Sequence, residues 1–203
     1  ELPRSGLLSL GFLLSLYYSS NAMVTMMRGF DKRYYYQETY KTRSFIRERL
    51  IATGLTILIG FLLVLTLSLI IVGDEAIQLL LEYVDYDWLP TLALFGTKWI
   101  IVISSFLFIM GLIYRFGPAM HEKIRIFSPG SIISTTFCIL TSVAFSTFVN
   151  NFGTYNKVYG SIGATIVVMI WIQINCLIIL FGYEINASIA INRDRRRIRN
   201  EAG

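Results

Sequence analysis

Residues 52–72 read ATGLTILIGFLLVLTLSLIIV, a run without a single ionisable side chain. A helix rising 1.5 Å per residue needs about 20 apolar residues to cross a hydrocarbon core roughly 30 Å thick. This run has that length. It is too long for a strand, and too evenly apolar for a helix that turns one face to water. Four other blocks share its character, and with their flanks the expected spans cover 6–27, 50–72, 88–114, 131–149 and 162–185. The first is interrupted by Tyr17, Tyr18, Ser19, Ser20 and Asn21, and the fourth is rich in Ser and Thr. Both can still span if their polar faces look into a bundle. The expectation is an all-α fold: a polytopic transmembrane helical bundle of about five spans, forming one integral membrane domain over 1–203.

Composition agrees. Hydrophobic residues make up 55% of the chain and charged residues 15%, against about 25% charged in a soluble domain. The charges are sorted by loop. Arg28, Lys32, Arg33, Lys41, Arg43, Arg47 and Arg49 fall between the first two spans, Arg115, Lys123 and Arg125 between the third and fourth, and five arginines from Arg193 to Arg199 in the tail. The intervening loops hold Asp74, Glu75, Glu82, Asp85 and Asp87, and then Lys157 as their only base. Such asymmetry places the basic loop 28–49 and the basic tail 190–203 in the cytoplasm. Trp88, Tyr114, Tyr155, Tyr159 and Tyr183 near span ends suit interfacial aromatics. Tyr34, Tyr35, Tyr36 and Tyr40, mixed with bases, suggest a segment lying on the headgroups rather than a nucleic-acid surface. Cys138 and Cys176 both lie in apolar segments, as buried small residues do.

Polar residues inside the spans are the functional candidates. Lys98 sits about ten residues into the third span, where it either snorkels outward or lines a cavity open to the outer face. Gln173 and Asn175 fall midway along the fifth. Ser134, Cys138, Ser142 and Ser146 recur every fourth residue of the fourth span, a stripe suited to close helix packing or to a polar wall. Glu184 reaches the cytoplasmic boundary and is matched in depth to Arg115 or Arg28, which makes a structural ion pair the expectation. Gly117-Pro118 ends the third span, and Pro129-Gly130 begins the fourth behind Ser128 as N-cap.

Several segments resemble one family in order along the chain. They are Arg4-Ser5-Gly6-Leu7-Leu8, Tyr114-Arg115-Phe116-Gly117-Pro118, Ser128-Pro129-Gly130, the stretch NFGTYNKVYGSIGA at 151–164, Trp171, and Gly182-Tyr183-Glu184-Ile185-Asn186. Together they are similar to the YihY/BrkB family of bacterial inner-membrane proteins, which has carried the label ribonuclease BN. The resemblance implies about six spans in the full protein, with one helix upstream of Glu1 and a cytoplasmic amino terminus. It also marks Asn151, Gly153, Tyr155, Asn156, Tyr159 and Gly160 as an ordered outer-turn motif. Tyr183 departs from the family, which usually has a small residue there, and this bears on how closely that helix can pack.

Enzyme chemistry is not expected. The chain has one histidine, His121, beside Glu122, and neither a metal-ligand cluster nor a nucleophile–base motif. No metal, cofactor or nucleic-acid partner follows from it. Two readings stay open. In one, the bundle transports or handles a lipid or small solute through a cavity lined by Lys98, Ser134, Ser142, Ser146, Gln173 and Asn175. In the other, it is a non-catalytic subunit docking a membrane or envelope protein. In both, membrane lipids are its surroundings. A reporter fused behind Gly203 is expected to be active only when it functions in the cytoplasm; protection of that tag from cytoplasmic protease would contradict the topology.

Overall fold

The computed structural model describes residues 4–31, 40–81, 88–121, 123–151 and 156–201, which form five α-helices and no strand. These are α1 (Arg4–Gly29), α2 (Phe45–Leu81), α3 (Trp88–Phe116), α4 (Pro129–Asn151) and α5 (Asn156–Glu201). Among the described residues, four helical stretches are long and apolar enough to cross a membrane: Phe45–Val72, Phe95–Phe116, Pro129–Asn150 and Thr165–Arg196. The remaining helix, α1, has the length at 26 residues, and the polar run at 17–21 makes it the least apolar of the expected spans. Apolar side chains cover the outside. Phe61 is 63% exposed and Leu67 61%, a surface that water would penalise at about 25 cal/mol per Å² and that acyl chains accept. The fold is that of a multi-pass membrane protein.

Every helix runs past its expected span, α2 and α5 by the most. The arginine-rich tail is no loose end, because α5 continues as helix through 46 residues to Glu201. Arg is a strong helix former and no Gly or Pro interrupts Asn186 to Glu201.

Contacts divide the chain into two compact units, Glu1–Lys123 and Ile124–Gly203. In the first, α1 packs on α2 and α2 on α3, around Val24, Met27, Ala52, Leu55 and Leu112. Midway along the α2–α3 seam the Thr66 and Ser105 hydroxyls share a hydrogen bond of 2.9 Å. Such interhelical bonds average about 0.6 kcal/mol in a membrane.

In the second unit α4 packs on α5, and the start of α4 is built so that no early backbone N–H is orphaned. Ser128 is the N-cap, as the sequence predicts. Its hydroxyl accepts from Ser131 N at 3.3 Å while its own N–H donates to the Ser131 hydroxyl at 2.9 Å, a reciprocal capping box. Pro129 has no N–H to satisfy. Gly130 N donates to Asn186 Oδ1 at 3.0 Å, and Ile132 N reaches the Ser128 carbonyl at 3.1 Å. Asn186 Nδ2 donates in turn to the Ser128 hydroxyl at 2.9 Å. One side chain of α5 thus holds both the cap and the first turn of α4.

Glycine at 130 is required by contact. A Cβ there would collide with the Gly182 carbonyl and the Asn186 side chain. Tyr183, the bulky departure from the family pattern, is nonetheless buried at 1% exposure. The close approach is made by Gly130 and Gly182, so the ring beside them does not prevent it. Gly130→Ala is expected to destabilise the α4–α5 pair by about 1–3 kcal/mol through overpacking. Thermal unfolding in detergent measures this; an unchanged midpoint would mean that the helices slide apart freely.

Candidate functional site

Polar side chains gather in three places, and the sequence anticipates them unequally. The first is the membrane-embedded stripe of α4. Ser134 is fully buried and donates to the Ile178 carbonyl of α5 at 3.2 Å, and Cys138 beside it is buried too. Ser142 is half-buried and Ser146 exposed. The stripe is therefore a packing seam at its Ser128 end and opens toward its far end. On α5, Asn175 donates to the carbonyl of Trp171 one turn back at 2.8 Å, while Gln173 is exposed. Trp171 stacks on Phe145 at 5.2 Å, which couples α5 to α4. Two buried polar atoms in this pair, Thr135 Oγ1 and Trp171 Nε1, have no hydrogen-bond partner among the described residues.

Lys98 lies in the first unit, half-buried on α3, beside the edge-to-face pair of Phe95 and Trp99 at 6.1 Å. The other cavity candidates all belong to the second unit. In the outer-turn motif, Asn151 closes α4, Asn156 opens α5, and Tyr159 and Gly160 are helical. Gly153 and Tyr155 lie outside the described residues, as do Lys32, Arg33, Tyr34, Tyr35, Tyr36 and Glu122.

The second place is a polar clasp in the first unit that sequence reasoning did not find. Arg43 reaches the end of α3 and donates from Nη1 to the carbonyls of Phe116 and Gly117 at 3.2 and 2.9 Å, and from Nη2 to that of Pro118 at 2.7 Å. Helix ends leave carbonyls without intrahelical donors and carry partial negative charge, and one guanidinium supplies both needs here. Alongside, Lys41 N donates to the Ala119 carbonyl at 2.6 Å, and Tyr40 and Met120 form an isolated antiparallel bridge. Phe30 is fully buried edge-on against Tyr114 at 6.1 Å, and its ring occupies the space that a side chain at Gly117 would need. Burial, with repulsion from Arg47, lowers the pKa of Arg43 from its ordinary value. It stays a cation, held by carbonyl dipoles.

Arg28 pairs with Glu48 in this clasp, Nε to Oε1 at 3.1 Å and Nη2 to Oε2 at 3.3 Å. The hydrogen bond and the charge of Glu48 raise the Arg28 pKa. Glu48 was not among the expected partners of Arg28. Glu184 is exposed on α5 in the second unit, and Arg115 lies over the Phe116 ring at 5.9 Å in the first. The clasp encloses a recess of about 40 Å³ lined by Met27, Arg28, Asp31, Arg43, Glu48, Gly117 and Ala119. Two guanidiniums face two carboxylates there, and the volume suits water rather than a substrate.

The third place is a pair of contacts by Arg49, which donates to Asn21 Oδ1 at 3.0 Å and lies 4.8 Å over the Tyr17 ring. Among the described residues, no three His, Cys, Asp or Glu side chains converge as metal ligands would.

A helical, multi-pass membrane protein with polar groups set between apolar helices is the class that fold and site define. Comparison with known proteins places it further. The family model described as virulence factor BrkB matches residues 2–203, and the chain belongs to that family. It is 33% identical over 184 residues to the "Putative ribonuclease-like protein YfkH" of Bacillus subtilis, covering 91% of this chain and 66% of that protein. It is 24% identical over 132 residues to the UPF0761 membrane protein IL2447 of Idiomarina loihiensis, covering 63% of this chain and 46% of the relative. A UPF0761 membrane protein of Pasteurella multocida, PM1616, is 30% identical over 98 residues, which cover 47% of this chain and 31% of the relative. The chain thus spans two thirds or less of these relatives' lengths. No solved structure matches it.

Removing the Arg43 fork should loosen the clasp. Arg43→Ala is expected to cost about 1–3 kcal/mol by leaving carbonyls at the end of α3 undersatisfied. Arg43→Lys should recover only part of this, since an ammonium cannot bridge three carbonyls in one plane. Hydrogen exchange at residues 113–120 measures it, and identical protection in all three proteins would show the fork to be dispensable.

Proposed function

We propose that this protein sits in the bacterial inner membrane with its arginine-rich tail in the cytoplasm, and that it transports or handles a lipid or small solute along a polar intramembrane path. The observation that carries this reading is the pair of buried, partnerless polar atoms, Thr135 Oγ1 and Trp171 Nε1, between α4 and α5. An unsatisfied donor costs about 1–3 kcal/mol, and hydrocarbon offers it no partner. Gln173 is exposed two residues from Trp171, amid exposed Ile170, Ile172 and Ile174. Two residues on from Trp171 it points away from the α4–α5 seam, and it is proposed as a separate polar contact on the outer face of α5. Ser142, Ser146 and Asn175, of the same unit, are assigned to the proposed path, and Lys98, in the first unit, is proposed as a separate contact for an anionic headgroup.

The alternative, a docking subunit for a membrane or envelope protein, would draw first on the small-residue face of α4. That face is already engaged at Gly130, Ser134 and Cys138 by packing within the chain. The ribonuclease in the name of the Bacillus relative is not extended to this chain. Phosphodiester hydrolysis needs acid–base groups or metal ligands converging on a phosphate, and the single histidine, His121, has no sequence motif around it. Neither catalysis, nor a metal or cofactor, nor a nucleic-acid partner is proposed.

The full-length protein reconstituted in vesicles tests this. Fluorescent-phospholipid scrambling or small-anion flux above that of empty vesicles is expected, with Asn175→Leu lowering it at least about tenfold. A cysteine placed at Thr135 should react with a membrane-impermeant thiol reagent. Flux equal to that of empty vesicles for both cargo classes, together with an inert cysteine, would reject the path.

A further inference from the structure

Among the arginines with a described set of partners at the α1–α2 end, Arg49 differs in how it is held. Arg28 is neutralised by Glu48, and Arg43 is engaged by three carbonyls. Arg49 is held by an amide oxygen and a phenol ring, Asn21 at 3.0 Å and Tyr17 at 4.8 Å. Both partners are neutral, and among the described residues it has no carboxylate. The contacts fix the guanidinium without cancelling its charge. Only Nη1 donates to Asn21, so Nε and Nη2 keep donors in the fork geometry that matches a phosphate.

The depth of the group is equally informative. Glu48 bonds Arg28 at the very end of α1, whereas its neighbour Arg49 bonds Asn21, seven residues further along the helix. That is about 10 Å of helix. The guanidinium is therefore set about two turns in from the end of α1, on the polar run at 17–21 and next to the apolar turns that precede it. The surroundings match. Phe45 and Ile46, four and three residues before Arg49 on the same face of α2, are exposed, and so are Leu10, Leu13 and Leu14 leading away from Tyr17 along α1. A free anion would find water-exposed bases elsewhere in this chain, but only an amphiphile can use a fixed cation and an apolar track together.

We propose that Arg49, positioned by Asn21 and Tyr17, is the phosphate contact of a binding site for an anionic phospholipid on the α1–α2 pair. The site is separate from the path between α4 and α5, and it is tested by equilibrium binding rather than by flux, so either can fail alone. The full-length protein in detergent is titrated with phosphatidylglycerol and followed by native mass spectrometry. The first lipid adduct should weaken at least about tenfold in Arg49→Gln, and stay within about twofold in Arg47→Gln, whose base is exposed two residues away. Asn21→Ala and Tyr17→Leu keep the charge but release it, and should weaken the adduct about threefold; they serve as the test if Arg49→Gln fails to fold. Millimolar inorganic phosphate should leave the adduct intact. Equal affinity in the wild type, Arg49→Gln and Asn21→Ala would overturn the proposal, as would equal loss in Arg47→Gln or displacement of the lipid by phosphate.

Discussion

Everything in this structure follows from the absence of water around its helices. In hydrocarbon a backbone N–H or C=O has no external partner, so each must be satisfied within the chain. Along the body of a helix this is automatic. At the ends it is not, and the ends are where this protein uses its few polar side chains. Asn186 and the Ser128–Ser131 box complete the start of α4, and Arg43 completes the end of α3. These are also the links that join elements distant in sequence, Gly130 to Asn186 across 56 residues and Arg43 to Gly117 across 74. Capping and tertiary assembly are here the same interactions.

The interior of the spans obeys a different economy. With lipid as apolar as leucine, burying apolar area brings helices together only weakly, and close approach with a few hydrogen bonds must hold them. Gly130 against Gly182, Ser134 on the Ile178 carbonyl, and Thr66 with Ser105 are such contacts. Against that background, a buried polar group with no partner is conspicuous. Thr135 and Trp171 stand out for this reason, and the proposed path rests on them rather than on any resemblance in name.

Several site residues were visible beforehand and others were not. Ser128 as a cap, Gly117-Pro118 as a stop and the serine stripe of α4 are local signals, because spacing along one helix fixes which residues share a face. The pairing of Arg28 with Glu48 is not a local signal, since the two lie 20 residues apart. Glu184 and Glu48 are both acidic residues near the basic end of a span, and depth alone does not distinguish them. Arg43 looked like one base among the seven of its loop. Only the return of that loop against the end of α3 singles it out.

The sequence by itself determined the helical class and the apolar character of its surroundings, because apolar run length is a property of contiguous residues read against a membrane of known thickness. It also carried the family, through motifs such as 151–164 and 182–186. Tertiary structure decided which glycines touch, which amide caps which helix, and which arginine is held without being neutralised. Those outcomes depend on the rotation and offset at which two helices meet. In a chain whose outward faces are apolar nearly all round, no periodicity in the sequence encodes that choice.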